Sequence, residues 1–154
     1  MTAIYTVGHS NHESDDFVAL LSRHGIRLVV DVRSSPYSRY VSQANRETLA
    51  RALEVAGIAY HWMGDRLGGK SDGTVADYDK LRTSPAFQGA ISELLALAGE
   101  HLTAIMCAEG NHRKCHRYKL ITPALLDRDM RVLHIQPDST VVDEEKEPRQ
   151  LALF

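Results

Sequence analysis

Leu102-Thr-Ala-Ile-Met106 runs directly into Cys107-Ala-Glu-Gly-Asn-His-Arg-Lys-Cys-His-Arg117, and Tyr118 to Leu126 follows with apolar residues at helical spacing. The first piece is a short apolar run of strand length, the second a polar turn, the third a helix. That order decides the fold class. In an α/β protein a strand-to-helix turn lies at the carboxyl edge of the sheet, where helix amide groups face an incoming anion. The turn holds both cysteines of the chain, one carboxylate (Glu109), two histidines and three cationic side chains.

The same alternation recurs on either side. Ala3 to Val7 reads as a buried strand ending in Gly8-His9-Ser10-Asn11, and Ser14 is placed to cap a helix with Asp15 and Asp16 in its first turn. Phe17, Leu20, Leu21 and His24 share a face, and Gly25 stops it. Ile26 to Val32 is a second strand, broken by Ser34-Ser35-Pro36. After a polar loop, Asn45 caps a helix through Ala56, and Ile58 to Met63 is the third strand. A long loop runs from Gly64 to about Asp77, and a helical stretch then breaks before Pro85. Ser84-Pro85 restarts the helix, with Phe87, Ile91, Leu94, Leu95 and Ala98 as its buried stripe.

Pro123 should divide the helix that follows the polar turn, and Met130 to Ile135 is the fifth strand. From Gln136 onward no periodicity is visible. The expected architecture is a single-domain α/β protein: a five-stranded, mostly parallel sheet with helices on both faces, wound in a Rossmann-like or flavodoxin-like way. Its domain would span residues 1–136, followed by a flexible acidic linker (137–149) and a tail (150–154). Because all parallel strands point one way, His9, Asp31, Arg33, Arg66 and the 107–117 turn should gather on one edge.

Composition narrows the function classes. A chain of 154 residues with 44% hydrophobic and 25% charged residues is long enough for a core and has the balance of a globular domain. The net charge of −2 is concentrated in the acidic tail, so any phosphate binding must be local rather than a bulk basic field. No apolar run has the length of a membrane span, and the N-terminus lacks a basic region and apolar signal core. A cytoplasmic protein with no membrane partner is expected. Two cysteines are too few for a disulfide scaffold, which leaves them reactive, ligating or buried.

Within the turn, Cys107 is the candidate nucleophile, since helix amides and nearby cations can ionise a thiol there. Cys107 and Arg113 fit the Cys-x5-Arg spacing of cysteine phosphatases and rhodanese-like loops. Glu109 and His9 are the acid–base candidates. Asp31, Arg33, Arg66, Cys115, His116 and Arg117 are the candidate substrate-binding residues. Asp31 and Arg33 equally suit an ion pair closing the strand edge, and Cys115 can resolve an oxidised Cys107 or share a metal with it and His112 or His116. The two cysteines do not have zinc spacing, so no metal is assigned, and no cofactor is indicated. Tyr37, Arg39 and Tyr40 could stack on and neutralise nucleotides.

Taken together, Val7-Gly8-His9-Ser10, Val30-Asp-Val-Arg-Ser-Ser-Pro36, Leu67-Gly-Gly69 and the paired halves Cys107-Ala-Glu109 and Cys115-His-Arg117 resemble the family catalogued as domain of unknown function 488. The resemblance covers about residues 4–136. It implies the α/β fold and a shared site built from these loops, and it supplies no reaction. It places weight on Cys107, Glu109, Cys115, His116 and Arg117.

Separately, Gln150-Leu-Ala-Leu-Phe154 is similar to the pentapeptide by which bacterial DNA polymerases and repair proteins bind the replicative sliding clamp. Leu151, Leu153 and Phe154 supply apolar anchors and Gln150 a hydrogen-bonding rim. The combined expectation is a bacterial DNA repair or replication factor recruited to the clamp, with a sheet-edge pocket acting on a nucleotide or nucleic-acid group. If it is an enzyme, it would be a cysteine-dependent hydrolase or transferase. The alternatives are a rhodanese-like or cysteine-phosphatase-like enzyme unrelated to DNA, and a non-catalytic metal-binding adapter.

Overall fold

The structure, a computed structural model, describes residues 3–68, 70–71, 74–75, 78–111 and 115–144, with the side chains of 70, 71, 74, 75, 117 and 118 outside that description. One sheet organises it. Its strands are β1 (Ala3–Gly8), β2 (Leu28–Asp31), β3 (Ala59–Trp62), β6 (Thr103–Cys107), β7 (Arg131–Ile135) and β8 (Val141–Asp143), in the order β3-β2-β6-β1-β7-β8. A separate two-stranded hairpin, β4 (Lys70–Ser71) and β5 (Thr74–Val75), lies within the loop expected after the third strand. The first five strands of the main sheet are parallel, and β8 is antiparallel to β7. The α/β expectation holds, but the sheet has six strands in place of the expected five, and with β6 inserted between β2 and β1 its order is neither the Rossmann nor the flavodoxin one.

Alternation along the strands builds two apolar layers. Successive side chains leave a strand on opposite faces, so Ile105 and Cys107 fall into one cluster while Ala104 and Met106 fall into the other. The first face packs against α5 (Pro85–Glu100), through Phe87, Ile91 and Leu94, and against α6 (Thr122–Asp127). The second packs against α1 (Ser14–Arg23) and α2 (Arg46–Val55), through Phe17, Leu21, Leu49 and Leu53. With both faces covered, β2 and β6 are buried at every position, as parallel strands in α/β proteins are.

Register sets the site. Gly8 is opposite Cys107, and Asp31 is opposite both Met106 and Trp62. The carboxyl ends of four strands therefore finish side by side.

Several local expectations are corrected. Ser84 does cap α5, accepting from the Phe87 N–H at 3.2 Å. Asn45 precedes α2 but its Oδ1 accepts from the Ser38 N–H at 2.6 Å instead, tying the polar loop back onto the helix start. Glu13, not Ser14, is the residue before α1. The stretch read as loop from Gly64 includes α3 (Gly64–Leu67) before the hairpin, and α4 (Tyr78–Thr83) precedes Ser84. As Pro123 requires, the helix after the polar turn is divided: a π turn over Arg117–Ile121 gives way to α6.

The acidic linker assigned from 137 is also corrected, because it contributes β8. Asp138 Oδ1 accepts from the Thr140 N–H at 3.0 Å, and Ser139 adopts a positive φ of 77°. The chain turns there, and Asp143 pairs with Arg131 at 2.5 Å. A three-residue edge strand is too short to show periodicity.

Candidate functional site

The end of β2 carries a charge that needs explaining. Asp31 is fully buried, and a buried carboxylate persists only with partners. It accepts from the Arg33 backbone N–H at 3.1 Å, from Arg33 Nε at 2.9 Å and from Arg33 Nη2 at 2.7 Å. The Tyr60 hydroxyl donates at 2.5 Å to Oδ2, the oxygen that also accepts from Arg33 Nη2. Burial first, and then this bond to the carboxylate, hold the Tyr60 phenol well above its ordinary pKa, so it stays a donor. Asp31 and Arg33 are thus an ion pair closing the strand edge, one of the two roles the sequence allowed.

Arg33 is fixed at its other end as well. Its carbonyl accepts from Trp62 Nε1 at 2.8 Å, and the Arg46 guanidinium lies 4.9 Å from the Trp62 ring centroid. Gly64 brings its backbone against the same carbonyl, where a side chain would collide with it.

At the end of β1 the backbone turns on its neighbour. The His9 N–H donates to the Cys107 carbonyl and the Ser10 N–H to the Ala108 carbonyl, both at 2.9 Å. The His9 ring is only 4% exposed, and its Nδ1 lies 2.7 Å from the Ser10 carbonyl, which it can approach only as a donor. The neutral ring therefore carries its free lone pair on Nε2. Burial pushes its pKa below the ordinary 6.5, and the Arg33 charge adds to that, opposed by the Ser10 hydrogen bond and by Asp31. At neutral pH His9 is an uncharged base.

The direction of that shift has a consequence for stability. The unfolded chain takes up the His9 proton at a higher pH than the folded chain does. Stability should therefore fall as pH drops below the ordinary value of 6.5, until the folded ring protonates too. Urea unfolding of wild type and His9→Asn across that range should give a shallower decline in the variant. Parallel declines would mean that His9 is not held neutral.

His9 and Arg33 open onto one cleft of ≈ 490 Å³. The β1 loop contributes Ser10 and Asn11 to it, and Ala108, Glu109 and Gly110 form another part of its lining. Ser35, Tyr37, Ser38 and Val41 from the loop after β2 complete it. Glu109 is exposed and accepts from the Asn111 N–H at 3.1 Å. Tyr37 is held by a 2.9 Å bond from its hydroxyl to Glu47. The cleft is within the size range of small-ligand sites.

The cysteines lie elsewhere. Cys107 is 2% exposed and its side chain belongs to the α5-facing apolar layer, outside the cleft lining. Its sulfur is joined to that of Cys115, with Cα atoms 7.4 Å apart, and lies 3.7 Å from the Glu109 carbonyl. Next to it, His116 Nε2 is 2.8 Å from the Val32 carbonyl and Nδ1 is 3.6 Å from Cys115 Sγ.

Of the sequence-predicted residues, the structure gathers His9, Arg33 and Glu109 in the cleft and puts Asp31 beneath Arg33. Cys107, Cys115 and His116 form a neighbouring group. Arg66 is not brought to the cleft: it pairs with Glu93 of α5 at 2.6 Å. The side chain of Arg117, together with His112, Arg113 and Lys114 and the pentapeptide Gln150 to Phe154, lies outside the described residues. Among the described residues no group of three or more His, Cys, Asp or Glu is placed to hold a metal, and no helix is long and apolar enough to cross a membrane.

Sequence reasoning missed Tyr60 and Trp62, which fix Asp31 and Arg33 from β3, and Ser35 and Ser38 in the cleft. The aromatic-polar alternation Tyr60-His-Trp62 was the available signal for the first pair.

An open, mainly parallel sheet with a polar cleft at the carboxyl edge of its central strands defines an α/β protein. More particularly, the chain belongs to the family described as domain of unknown function DUF488, whose model matches residues 13–122. No curated protein and no solved structure matches it.

Proposed function

We propose that the cleft binds the phosphate-bearing part of a nucleotide or of a DNA end, and that the protein acts in the cytoplasm as a repair- or replication-associated factor. The observation that carries this reading is the pairing of a buried, carboxylate-oriented arginine with a buried neutral histidine on one cleft. Arg33 arrives pre-oriented, so it loses little freedom when it meets an anion. Nε2 of His9 can take a proton from an attacking water or hydroxyl and pass it to the leaving group, and Glu109 on the cleft wall is the other acid–base candidate. Arg33 would then stabilise the charge that develops on the bound oxyanion. Recruitment to the sliding clamp rests on the sequence Gln150 to Phe154 alone.

Calorimetry should separate these parts. A deoxynucleoside monophosphate is expected to bind at least about tenfold more tightly than its nucleoside, the margin of one well-placed charged hydrogen bond. Equal affinities for the two would remove Arg33 as a phosphate ligand. Binding of the cognate clamp should be lost in a chain ending at Arg149, while nucleotide binding stays unchanged. Clamp binding that survives the truncation would end the recruitment reading.

A further inference from the structure

We propose that Cys115 and Cys107 form a redox-active dithiol that exchanges with low-molecular-weight disulfides, with Cys115 as the attacking thiol, His116 as its base and Cys107 as the resolving thiol. This goes beyond the cleft reading and does not depend on it. The surroundings of the two sulfurs assign the roles. His116 Nε2 faces the Val32 carbonyl at 2.8 Å, so it carries the hydrogen, and the neutral ring presents its Nδ1 lone pair to Cys115 Sγ at 3.6 Å. A thiol beside an imidazole acceptor, with that imidazole oriented by a third group, has the arrangement of an activated nucleophile.

Cys107 has the opposite environment. Its sulfur faces the Glu109 carbonyl at 3.7 Å, an acceptor that a thiol can donate to and that disfavours the thiolate. It is also the more buried of the two, at 2% exposed against 7%. The less buried, base-paired sulfur meets an outside disulfide first. The deeper one follows.

The exchange balances as follows. His116 Nδ1 takes the Cys115 proton, and the thiolate attacks one sulfur of the disulfide RSSR. The S–S bond of RSSR breaks, Cys115 becomes a mixed disulfide, and the first RS⁻ takes the proton from His116. The neutral ring then accepts the proton of Cys107, whose thiolate attacks the Cys115 sulfur and expels the second RS⁻, which is protonated in turn. The protein loses two electrons and RSSR is reduced to two RSH. Two equivalents of thiol reverse it. In the joined form the Cys107 sulfur still lies 3.7 Å from the carbonyl of Glu109, a residue of the cleft wall, but has no S–H to donate to it.

The test uses the full chain equilibrated in glutathione buffers of graded disulfide-to-thiol ratio, quenched by alkylation and read by mass spectrometry. Wild type should lose both thiols together and yield a Cys107–Cys115 linked peptide. Cys107→Ser should accumulate a glutathione adduct on Cys115 at least about tenfold faster than Cys115→Ser accumulates one on Cys107. His116→Asn should slow the Cys115 adduct by a similar factor at an unchanged melting temperature. The absence of a linked peptide in wild type at every ratio overturns the proposal. Equal adduct rates in the two serine variants, compared at matched far-ultraviolet circular dichroism, overturn the assignment of roles.

Discussion

Asp31→Ala should lower the unfolding free energy by roughly 3–5 kcal/mol, the cost of removing one partner from a buried ion pair. The pair is 0% and 6% exposed, so solvent screening gives little relief. The loss is larger than that of a contact. Alanine leaves the guanidinium of Arg33 buried with its Nε and Nη2 donors stripped of their acceptors, and it leaves the Tyr60 hydroxyl without its 2.5 Å partner. For a chain of this size the melting temperature should drop on the order of 10 °C, at about 2–4 °C per kcal/mol. Tyr60→Phe, which removes a single donor, should cost only about 1 kcal/mol. A double mutant carrying Arg33→Ala with Asp31→Ala should cost clearly less than the sum of the two single changes, because each single change strands the other's charge. Denaturation of wild type, the Asp31→Ala and Arg33→Ala variants and their double decides it. Additive losses, or an Asp31→Ala protein within about 1 kcal/mol of wild type, would show that the two charges are not coupled.

The same pair shows what was legible in the sequence. Asp31 and Arg33 could be read as an ion pair because both lie at the end of one apolar strand, two residues apart. Strand and helix existence was readable for the same local reason, since an apolar face with period two or 3.6 is written into consecutive residues. What was not readable is who stands beside whom. Tyr60 and Trp62 reach Asp31 and Arg33 across 29 residues of chain, and Arg66 meets Glu93 across 27. Nothing in the spacing at either end announces such a partner. Arg66 looked like an edge cation because it follows a strand, yet one turn of helix carries it toward α5.

Cys107 illustrates a finer limit. Its place at the end of β6 was readable, but whether its sulfur points toward the edge or into a layer depends on strand register. Gly8 opposite Cys107, with Met106 on the other face, sends that sulfur into the α5-facing layer. One residue of register would have put it on the other face. The cleft is therefore lined by His9 and Arg33, and the Cys107–Cys115 pair, the proposed second site, lies outside that lining.

Gly8 is the point where these two sites meet, and Gly8→Ala is the second change expected to have a large effect. A Cβ at Gly8 would land on the carbonyl oxygen and carbon of Glu109 and within 2.9 Å of Gly110 Cα. All three atoms are backbone, so no flexible side chain can swing aside. Either the β1–β6 register gives way or the 108–110 segment moves outward. Overpacking of this kind costs about 1–3 kcal/mol, and more where backbone must move. Moving the segment outward would displace Glu109 from the cleft and carry its carbonyl away from Cys107 Sγ. The expected result is a melting temperature lower by at least about 2–4 °C, together with loss of the affinity difference between nucleotide and nucleoside. A substitution at Gly57, where a Cβ meets nothing within 4 Å, is the control for the loss of a glycine alone, although its φ of 77° adds strain of its own. If Gly8→Ala keeps both stability and nucleotide preference, the approach of Glu109 to β1 is looser than the register implies. The wall of the cleft would then not be set by the strand ends.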